Sequence, residues 1–240
     1  MGGLPRPRAA QRRLTAAAVV LAAALAVYAV AIEPWWGARV ARRLRATRDP
    51  GARVGVYKLI LAVDWTYTAV ALLAFALSGL AAPDVFLAAP DLGGLGGMIV
   101  LGAAVGLLAG AVGGLVAARR GGPAPPTPGD FEALVPRTHR ERRWFAAVAV
   151  TAGVCEEILY RGVLLAGASL LLPGAPLWAL ALGLAAVFGL AHLYQGPSGI
   201  AATAAVGAML GVLVAVTGSL LPAIVLHALM DLRVLLLPRP

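Results

Sequence analysis

Charged residues are scarce in this chain of 240 residues, since Asp, Glu, Lys and Arg make up only 13% of it. A soluble domain is nearer a quarter charged. Aromatic residues are also few, at 6%, whereas 60% of the residues are hydrophobic and the mean hydropathy is +0.86. These values exclude a soluble domain and predict an all-α, polytopic membrane protein.

Cysteine is almost absent, and the single Cys155 cannot form a disulfide within the chain. Cys155 lies beside Glu156, so a thiol nucleophile has to be weighed against a packing role. A small, weakly polar side chain in an apolar helix more often packs than reacts. We therefore predict that Cys155 packs between helices.

The net charge is +9, and the basic residues cluster between apolar runs, chiefly in segments 34–58 and 119–143. This pattern predicts anchoring at the membrane surface and control of topology, and it argues against a nucleic-acid partner. Two crossings separate the two segments, so both can face the cytoplasm. The arginine-rich residues 1–13 would then lie on the other side of the membrane. Either the first helix does not span fully, or one basic segment does not follow the positive-inside rule.

Apolar runs long enough to cross a bilayer recur along the chain. We predict about seven transmembrane helices, the last four of which form one C-terminal bundle. We prefer an uncleaved first helix to a signal peptide, because the first run is longer than an h-region of about 7–15 residues. The runs are residues 14–32, 56–82, 95–118, 144–172, 176–195, 199–217 and 220–237.

Composition divides the chain into three parts. Residues 1–118 are predicted to form N-terminal scaffold helices, which include a basic surface segment at residues 34–55. Residues 119–143 are a predicted cytoplasmic linker, because the Gly- and Pro-rich run 121–126 cannot be helical. Residues 144–240 are a predicted helical core, which holds the most informative polar residues.

Two features of the scaffold lead to predictions that a structure can test. Asp64 lies in an apolar run, where an ionisable residue is a functional candidate. Its position near the helix end favours hydration or pairing with Lys58, with a role in a site as the alternative. A stripe of small residues, which predicts close helix packing, recurs every four positions at Gly102, Gly106, Gly110 and Gly114.

The most informative stretch is EEILYR, residues 156–161, inside an apolar run. Insertion of each charged group into the membrane there costs about 2.5–3.5 kcal/mol on insertion scales. The requirements of folding therefore do not explain these residues, which are functional candidates. Glu157 and Arg161 are four residues apart and share a helix face, which predicts an ion pair. Glu156 points about 100° away and is left free for chemistry.

Two further motifs lie in later apolar runs: FGLAH at residues 188–192 and HALMD at residues 227–231. In each motif the first and last residues are four apart and share a helix face. A lone histidine usually packs, but two such pairs beside a diacid favour a site. We predict that one polar cavity collects Glu156, His192, His227 and Asp231.

The ordered set EExxxR, FxxxH and HxxxD resembles the motifs of the CPBP family. These are membrane endopeptidases that process CAAX proteins and bacteriocins, also called the Abi family. The resemblance covers about residues 144–237, and the sequence LYQG after the second motif strengthens it. It implies four catalytic residues and three supporting residues, namely Glu156, His192, His227 and Asp231, with Glu157, Arg161 and Phe188.

By this resemblance, Glu156 would activate a water that His192 helps to hold, and His227 and Asp231 would support the oxyanion or the water. Many relatives have Asn at the last position. A carboxylate at Asp231 repels an oxyanion unless it is protonated or paired with His227. The implied activity is hydrolysis of peptide bonds in a membrane-embedded or lipid-anchored protein or peptide, at the cell membrane. The Ala-, Gly-, Arg- and Pro-rich composition favours the bacterial inner membrane.

The cofactor requirement is open at this point. The family has been interpreted both as metalloendopeptidase-like, with zinc, and as metal-free. Glu156, His192 and His227 could hold a zinc ion with a water in the fourth position. Because no HExxH helix is present, we favour a metal-free reaction.

Two other classes of function would also place ionisable residues in a membrane. A proton-coupled transporter usually shows inverted repeats and broken helices, and neither is visible in the sequence. A catalytically silent membrane adaptor of the same family is the other alternative. The intact motifs favour an enzyme.

Overall fold

The fold is described by a computed structural model that covers residues 14–120 and 131–236. The predictions for residues 1–13, 121–130 and 237–240 lie outside the described residues. Within the described part every regular element is helical, and the only strand-like pairing is a single bridge between Leu87 and Ser219. The all-α fold class is therefore confirmed. The main helices are α1 (Ala16–Val27), α2 (Glu33–Ala46), α3 (Ala52–Ser78), α4 (Gly94–Arg119), α5 (His139–Glu157), α6 (Leu165–Leu171), α7 (Leu177–Ala191), α8 (Gly196–Thr217) and α9 (Leu221–Leu232).

Two π-helical segments interrupt longer helices. Tyr28–Ile32 joins α1 to α2, and Ile158–Leu164 joins α5 to α6. The first makes one continuous helical stretch of the predicted first span and the predicted surface segment. The second begins directly after Glu157 and carries Arg161. π-helical turns inside α-helices occur frequently at functional sites.

Four helical stretches in the described part are long and apolar enough to cross a membrane, which supports a multi-pass membrane protein. By contrast, α7 has 15 residues and α9 has 12. At about 1.5 Å per residue they measure roughly 22 and 18 Å, short of a hydrocarbon core of about 30 Å. The total of about seven spans therefore stays a prediction. The four stretches are Ala16–Ala46, Ala52–Ser78, Gly94–Ala117 and Leu193–Thr217.

Helix α2 has the amphipathic character predicted for the basic surface segment. Its buried positions are Pro34, Ala38, Ala41 and Leu44, which follow the spacing of one helix face. Arginines occupy exposed positions between them. A turn follows this helix, in which Asp49 accepts a hydrogen bond from the Gly51 N–H at 2.7 Å.

The prediction that the glycine stripe of α4 serves close packing is wrong for the described residues. A Cβ added at Gly102, Gly106 or Gly110 would meet no atom within 4 Å. None of the most apolar window of α4 is buried. The small side chains instead leave open space beside α4, and Gly106 and Gly110 line a large cavity.

Close packing occurs at glycines of the C-terminal helices, where no stripe marks them. A Cβ at Gly153 would lie 2.9 Å from Cβ of Ala228, so α5 and α9 approach closely. A Cβ at Gly189 would lie 2.8 Å from Cβ of Ala204, which brings α7 against α8. These contacts draw together the helices that carry the three motifs.

Asp64 is buried and is not paired with Lys58, contrary to the simpler prediction. Its side chain is on the buried face of α3, where the residue is only 7% exposed. Lys58 lies on another face, with Nζ 5.0 Å from the centre of the Trp144 ring. Cys155 is fully buried in an apolar cluster with Leu159 and Tyr67, which agrees with a packing role.

The start of α5 is fixed by a capping box. Thr138 accepts a hydrogen bond from the Glu141 N–H, and Glu141 Oε2 accepts from the Thr138 N–H at 2.9 Å. Oε2 also accepts from the Arg137 N–H at 2.6 Å, and Arg53 Nη1 of α3 donates to Oε1 at 2.9 Å. Glu141 thus ties the entry of α5 to α3.

Candidate active site

The two adjacent acids of the first motif face different surroundings, as the helical step of about 100° requires. Glu157 is fully buried, and its Oε1 accepts from Arg161 Nη1 at 2.8 Å. Glu156 instead lines the large cavity, and its Oε2 has no hydrogen-bond partner among the described residues. One acid is therefore bonded, and its neighbour faces open space.

Arg161 connects three helical segments. Besides its bond to Glu157, its Nη2 donates to the carbonyl oxygen of Gly207 on α8 at 2.9 Å. Its guanidinium carbon lies 4.5 Å from the centre of the Phe188 ring on α7, a cation–π distance. The predicted ion pair is present and also anchors the second motif.

The second motif lies where α7 ends. His192 leaves the helical conformation, with φ −93° and ψ 27°. Its Nδ1 lies 2.9 Å from the carbonyl oxygen of Phe188. A carbonyl can only accept, so Nδ1 carries the proton and Nε2 keeps a lone pair. The neutral His192 can therefore accept a hydrogen bond at Nε2.

The third motif is joined to the first by a contact that the sequence did not predict. His227 Nδ1 lies 2.8 Å from Glu157 Oε1, which also accepts a hydrogen bond from Arg161 Nη1. On the other edge of the ring, Nε2 lies 3.8 Å from Glu156 Oε2 and 3.8 Å from Asp231 Oδ2. His227 thus stands between the bonded acid on one side and the two cavity acids on the other.

A cavity of about 540 Å³ collects the predicted catalytic residues. Its volume lies within the range of about 300–1,000 Å³ that is typical of ligand pockets. Glu157 and Arg161 are not part of its lining, whereas Phe188 is. The opposite wall is apolar and includes the glycines of α4 described above. The polar lining includes Glu156, His192, His227 and Asp231, together with Tyr194, Gln195 and Thr203.

Sequence reasoning missed Tyr194 and Glu33 next to this site, and it gave a role in a site for Asp64 only as the alternative. Tyr194 lies with its ring centre 5.8 Å from that of His192. The sequence had marked it only as part of the LYQG flank. Glu33 accepts a hydrogen bond from the Tyr160 hydroxyl at 2.6 Å, which places the start of α2 behind the first motif. Asp64 shares a second, smaller cavity with Glu33 and Glu156. The feature of the sequence that marks Asp64 is an acidic residue within an apolar run.

The residues suggested as zinc ligands do not form a preformed metal site. Within residues 14–120 and 131–236, no three His, Cys, Asp or Glu side chains are arranged to hold a metal ion. Nδ1 of His192 bonds a carbonyl oxygen and Nδ1 of His227 a carboxylate, which leaves Nε2 of each ring as its one possible ligand atom.

Comparison with known proteins agrees with the motifs. Residues 140–233 match a family model described as Type II CAAX prenyl endopeptidase Rce1-like. The matched segment contains all three motifs, and the resemblance to the CPBP family is confirmed over it. At the level of the family, this match supports a CAAX-type intramembrane protease. No curated protein and no solved structure matches the chain.

Proposed function

We propose that this protein is an intramembrane endopeptidase in which Glu156 activates a water for hydrolysis of a peptide bond. The observation that carries the proposal is the meeting of Glu156, His192 and His227 around one cavity, although they come from three helices. Separate packing of three polar residues would have left them apart. The roles given to these residues are part of the proposal.

The reaction needs a base for the water, a donor for the oxyanion and a proton for the leaving amine. Glu156 is the only one of the two adjacent acids that faces the cavity. We assign it two roles, as the base for the water and as the proton donor to the leaving amine. Its carboxylate takes a proton from the water as the oxygen attacks the carbonyl carbon. It then returns that proton to the amine nitrogen as the C–N bond breaks. The unprotonated Nε2 of His192 accepts the other hydrogen of the water and orients its oxygen.

His227 is the donor that we assign to the oxyanion. Its Nδ1 is held by Glu157 at 2.8 Å, so its ring orientation is fixed before substrate binds. A proton on Nε2 would be compensated by Glu156 and Asp231, each 3.8 Å away. A preorganised donor of this kind contributes typically 10²–10³-fold to the rate.

The substrate that fits is a peptide segment of a membrane-embedded or lipid-anchored protein. Much of the cavity lining is apolar, and α4 contributes small residues that leave room for a chain. The fold beside it has membrane-spanning helices. We place the protein in a cell membrane, in a bacterium the inner membrane, with its basic loops on the cytoplasmic side.

The deciding experiment is cleavage of fluorogenic lipopeptides by purified protein in liposomes. Glu156→Gln, which keeps the shape of the side chain, should abolish cleavage while the protein inserts and melts as the wild type does. The exposed Glu132 offers a matched control, because Glu132→Gln removes the same charge from a side chain that is 80% exposed. Retained cleavage by Glu156→Gln would rule out Glu156 as the base.

Two further arms of this experiment separate the alternatives. Treatment with a chelator should leave the rate unchanged; loss of activity that is restored by zinc would show a metal-dependent reaction. Absence of cleavage by the wild type across a broad lipopeptide library would favour the silent adaptor.

A further inference from the structure

A second cavity, of about 100 Å³, lies behind the proposed active site. Glu156, His192 and Tyr194 line both this cavity and the large one. The two spaces therefore meet at the proposed base. A group attached close to the reacting peptide bond can enter the small cavity while the bond lies beside Glu156.

The small cavity is acidic, and its outer wall comes from the N-terminal helices. Glu33 at the start of α2 and Asp64 of α3 line it together with Glu156, whereas no Lys or Arg does. Both N-terminal acids lie outside residues 140–233, the segment that matches the family model. Two of the three acids that line this cavity therefore come from the N-terminal helices, outside the matched segment.

Two buried oxygens in this lining, Oδ2 of Asp64 and Oε2 of Glu156, make no hydrogen bond within the described part of the chain. The Tyr67 hydroxyl, which also has no partner there, lies close to Asp64 and can supply one donor. Asp64 is 93% shielded from solvent by its surroundings, since only 7% of it is exposed. A buried acceptor without a donor is costly, so a ligand that brings donors would relieve that cost.

The nearby cationic side chains do not form ion pairs with these acids. Arg161 is committed to Glu157 and to the Gly207 carbonyl, and Lys58 is held over the Trp144 ring. Glu33 is kept in place by the Tyr160 hydroxyl at 2.6 Å, which supplies a hydrogen bond and no charge. No Lys or Arg of the described cavity lining therefore pairs with these acids, and a cationic ligand would supply the missing positive charge.

The remaining lining fits an organic cation better than a metal ion. Tyr28, Trp36 and Tyr194 offer aromatic faces, which attract ammonium and guanidinium groups. Val56 and Ile60 can cover an aliphatic stem. No three acids or histidines of residues 14–120 and 131–236 are arranged around a metal ion. The volume is several times the roughly 10–15 Å³ that one water requires, which suits the end of a Lys or Arg side chain.

We propose that this small cavity is a specificity subsite for a basic side chain, Lys or Arg, of the substrate next to the cleaved bond. Glu33 and Asp64 bind the cationic head, and the aromatic rings enclose it. The role as a substrate subsite rests on the proposed function, whereas the affinity for an alkylammonium group does not.

The first test measures binding and needs no cleavage. Purified wild-type protein is titrated with n-butylammonium chloride, with n-butanol and sodium chloride as neutral and ionic controls, and thermal stabilisation is followed. We expect saturable stabilisation by n-butylammonium alone. Asp64→Asn should weaken the apparent affinity by roughly tenfold or more, as expected for loss of a hydrogen bond to a charged group. Glu132→Gln should leave it unchanged.

Glu33→Gln provides a second variant, because it keeps an acceptor for Tyr160 while it removes the charge. It should also weaken binding, whereas Asp64→Glu, which keeps the charge, should retain it. Identical titration curves for the wild type, Asp64→Asn and Glu33→Gln would overturn the proposal.

The second test uses lipopeptide pairs that differ only by Lys or norleucine at each position around the cleaved bond. At one position, Lys should raise kcat/KM by roughly tenfold or more, and Asp64→Asn should remove this preference. Cleavage without any such preference would overturn the subsite and leave the endopeptidase intact. Butylammonium binding that depends on Asp64, with no cleavage of any peptide, would keep the cation site and overturn the proposed function.

Discussion

Arg161→Ala gives the most direct test of how the buried charges are held. Arg161 and Glu157 are 4% and 0% exposed at their side chains, and Nη1 lies 2.8 Å from Oε1. The substitution leaves the Glu157 carboxylate with His227 as its remaining partner. It also removes the donor to the Gly207 carbonyl and the cation above the Phe188 ring.

Removal of one partner of a buried ion pair costs about 3–5 kcal/mol, because the other charge is left uncompensated. Solvent screening cannot reduce this value much, since neither side chain reaches water. For a chain of this length, 1 kcal/mol corresponds to roughly 2–4 °C in Tm. We therefore expect Arg161→Ala to melt roughly 6–20 °C below the wild type and to lose cleavage activity.

The assay is thermal unfolding in detergent, followed by tryptophan fluorescence, with monodispersity checked before each melt. Arg137→Ala is a matched control: its pair with Glu132 spans 3.5 Å at side chains that are 50% and 80% exposed. An exposed pair of this kind contributes about 0–1 kcal/mol, so its Tm should change little.

The double variant Glu157→Gln with Arg161→Ala separates repulsion from lost packing. It should be less destabilised than the sum of the two single variants, because no unpaired carboxylate remains. If Arg161→Ala is inactive but melts like the wild type, then the ion pair does not stabilise the fold and Arg161 acts on the substrate.

Three other perturbations test the packing, the capping and the cavity. Gly207→Ala should lower stability by about 1–3 kcal/mol, since its Cβ would lie 2.9 Å from Phe188 Cδ1; the free energy of unfolding measures this. Glu141→Gln should remove a pH-dependent part of the stability. Burial raises the pKa of Glu141, but hydrogen bonds from two backbone N–H groups and from Arg53 outweigh it, so its pKa is lowered. A lowered folded pKa stabilises above the unfolded value of about 4.3 and loses that contribution as the pH falls through the folded value. The Tm difference between wild type and Glu141→Gln should therefore shrink below about pH 4, and a constant difference would show that the carboxylate charge is irrelevant. Asp231→Asn should lower the initial rate of cleavage, because it removes one of the two carboxylates that would compensate a proton on Nε2 of His227; an unchanged rate would show that Glu156 alone compensates it.

The parts of the site that sequence could predict are those set by local helix geometry. The ion pair of Glu157 with Arg161 agrees with their four-residue helical spacing, although Arg161 lies in a π-helical segment, and the different surroundings of Glu156 and Glu157 agree with a step of about 100°. The proximity of His227 to Asp231 follows from the same period. These relations hold whatever the tertiary packing, so four-residue spacing was sufficient.

Tertiary contacts were not predictable in the same way. The bond from His227 to Glu157 joins positions 70 residues apart, and no local pattern marks it. The glycine stripe of α4 was misjudged because small residues permit close packing but do not require it. Whether a neighbouring helix approaches depends on the rest of the bundle. Close approaches occur instead at Gly153 and Gly189, where each glycine faces an alanine or a backbone carbonyl of the partner helix.

The two adjacent acids of the first motif have different roles: Glu157 is paired inside the bundle, whereas Glu156 is available as a base. One carboxylate could not do both. A carboxylate in an apolar helix is tolerated when it is paired, and Glu157 has both Arg161 and His227 within 2.8 Å of one oxygen. A base must instead keep an oxygen available, and Oε2 of Glu156 has no donor in the described chain. Glu157 binds His227 of the third motif directly, and it holds Arg161, which contacts Phe188 of the second motif. These contacts position the groups that surround Glu156. Loss of the Glu157–Arg161 ion pair should therefore impair catalysis by displacing the groups around Glu156, whereas loss of Glu156 should impair it with those groups in place.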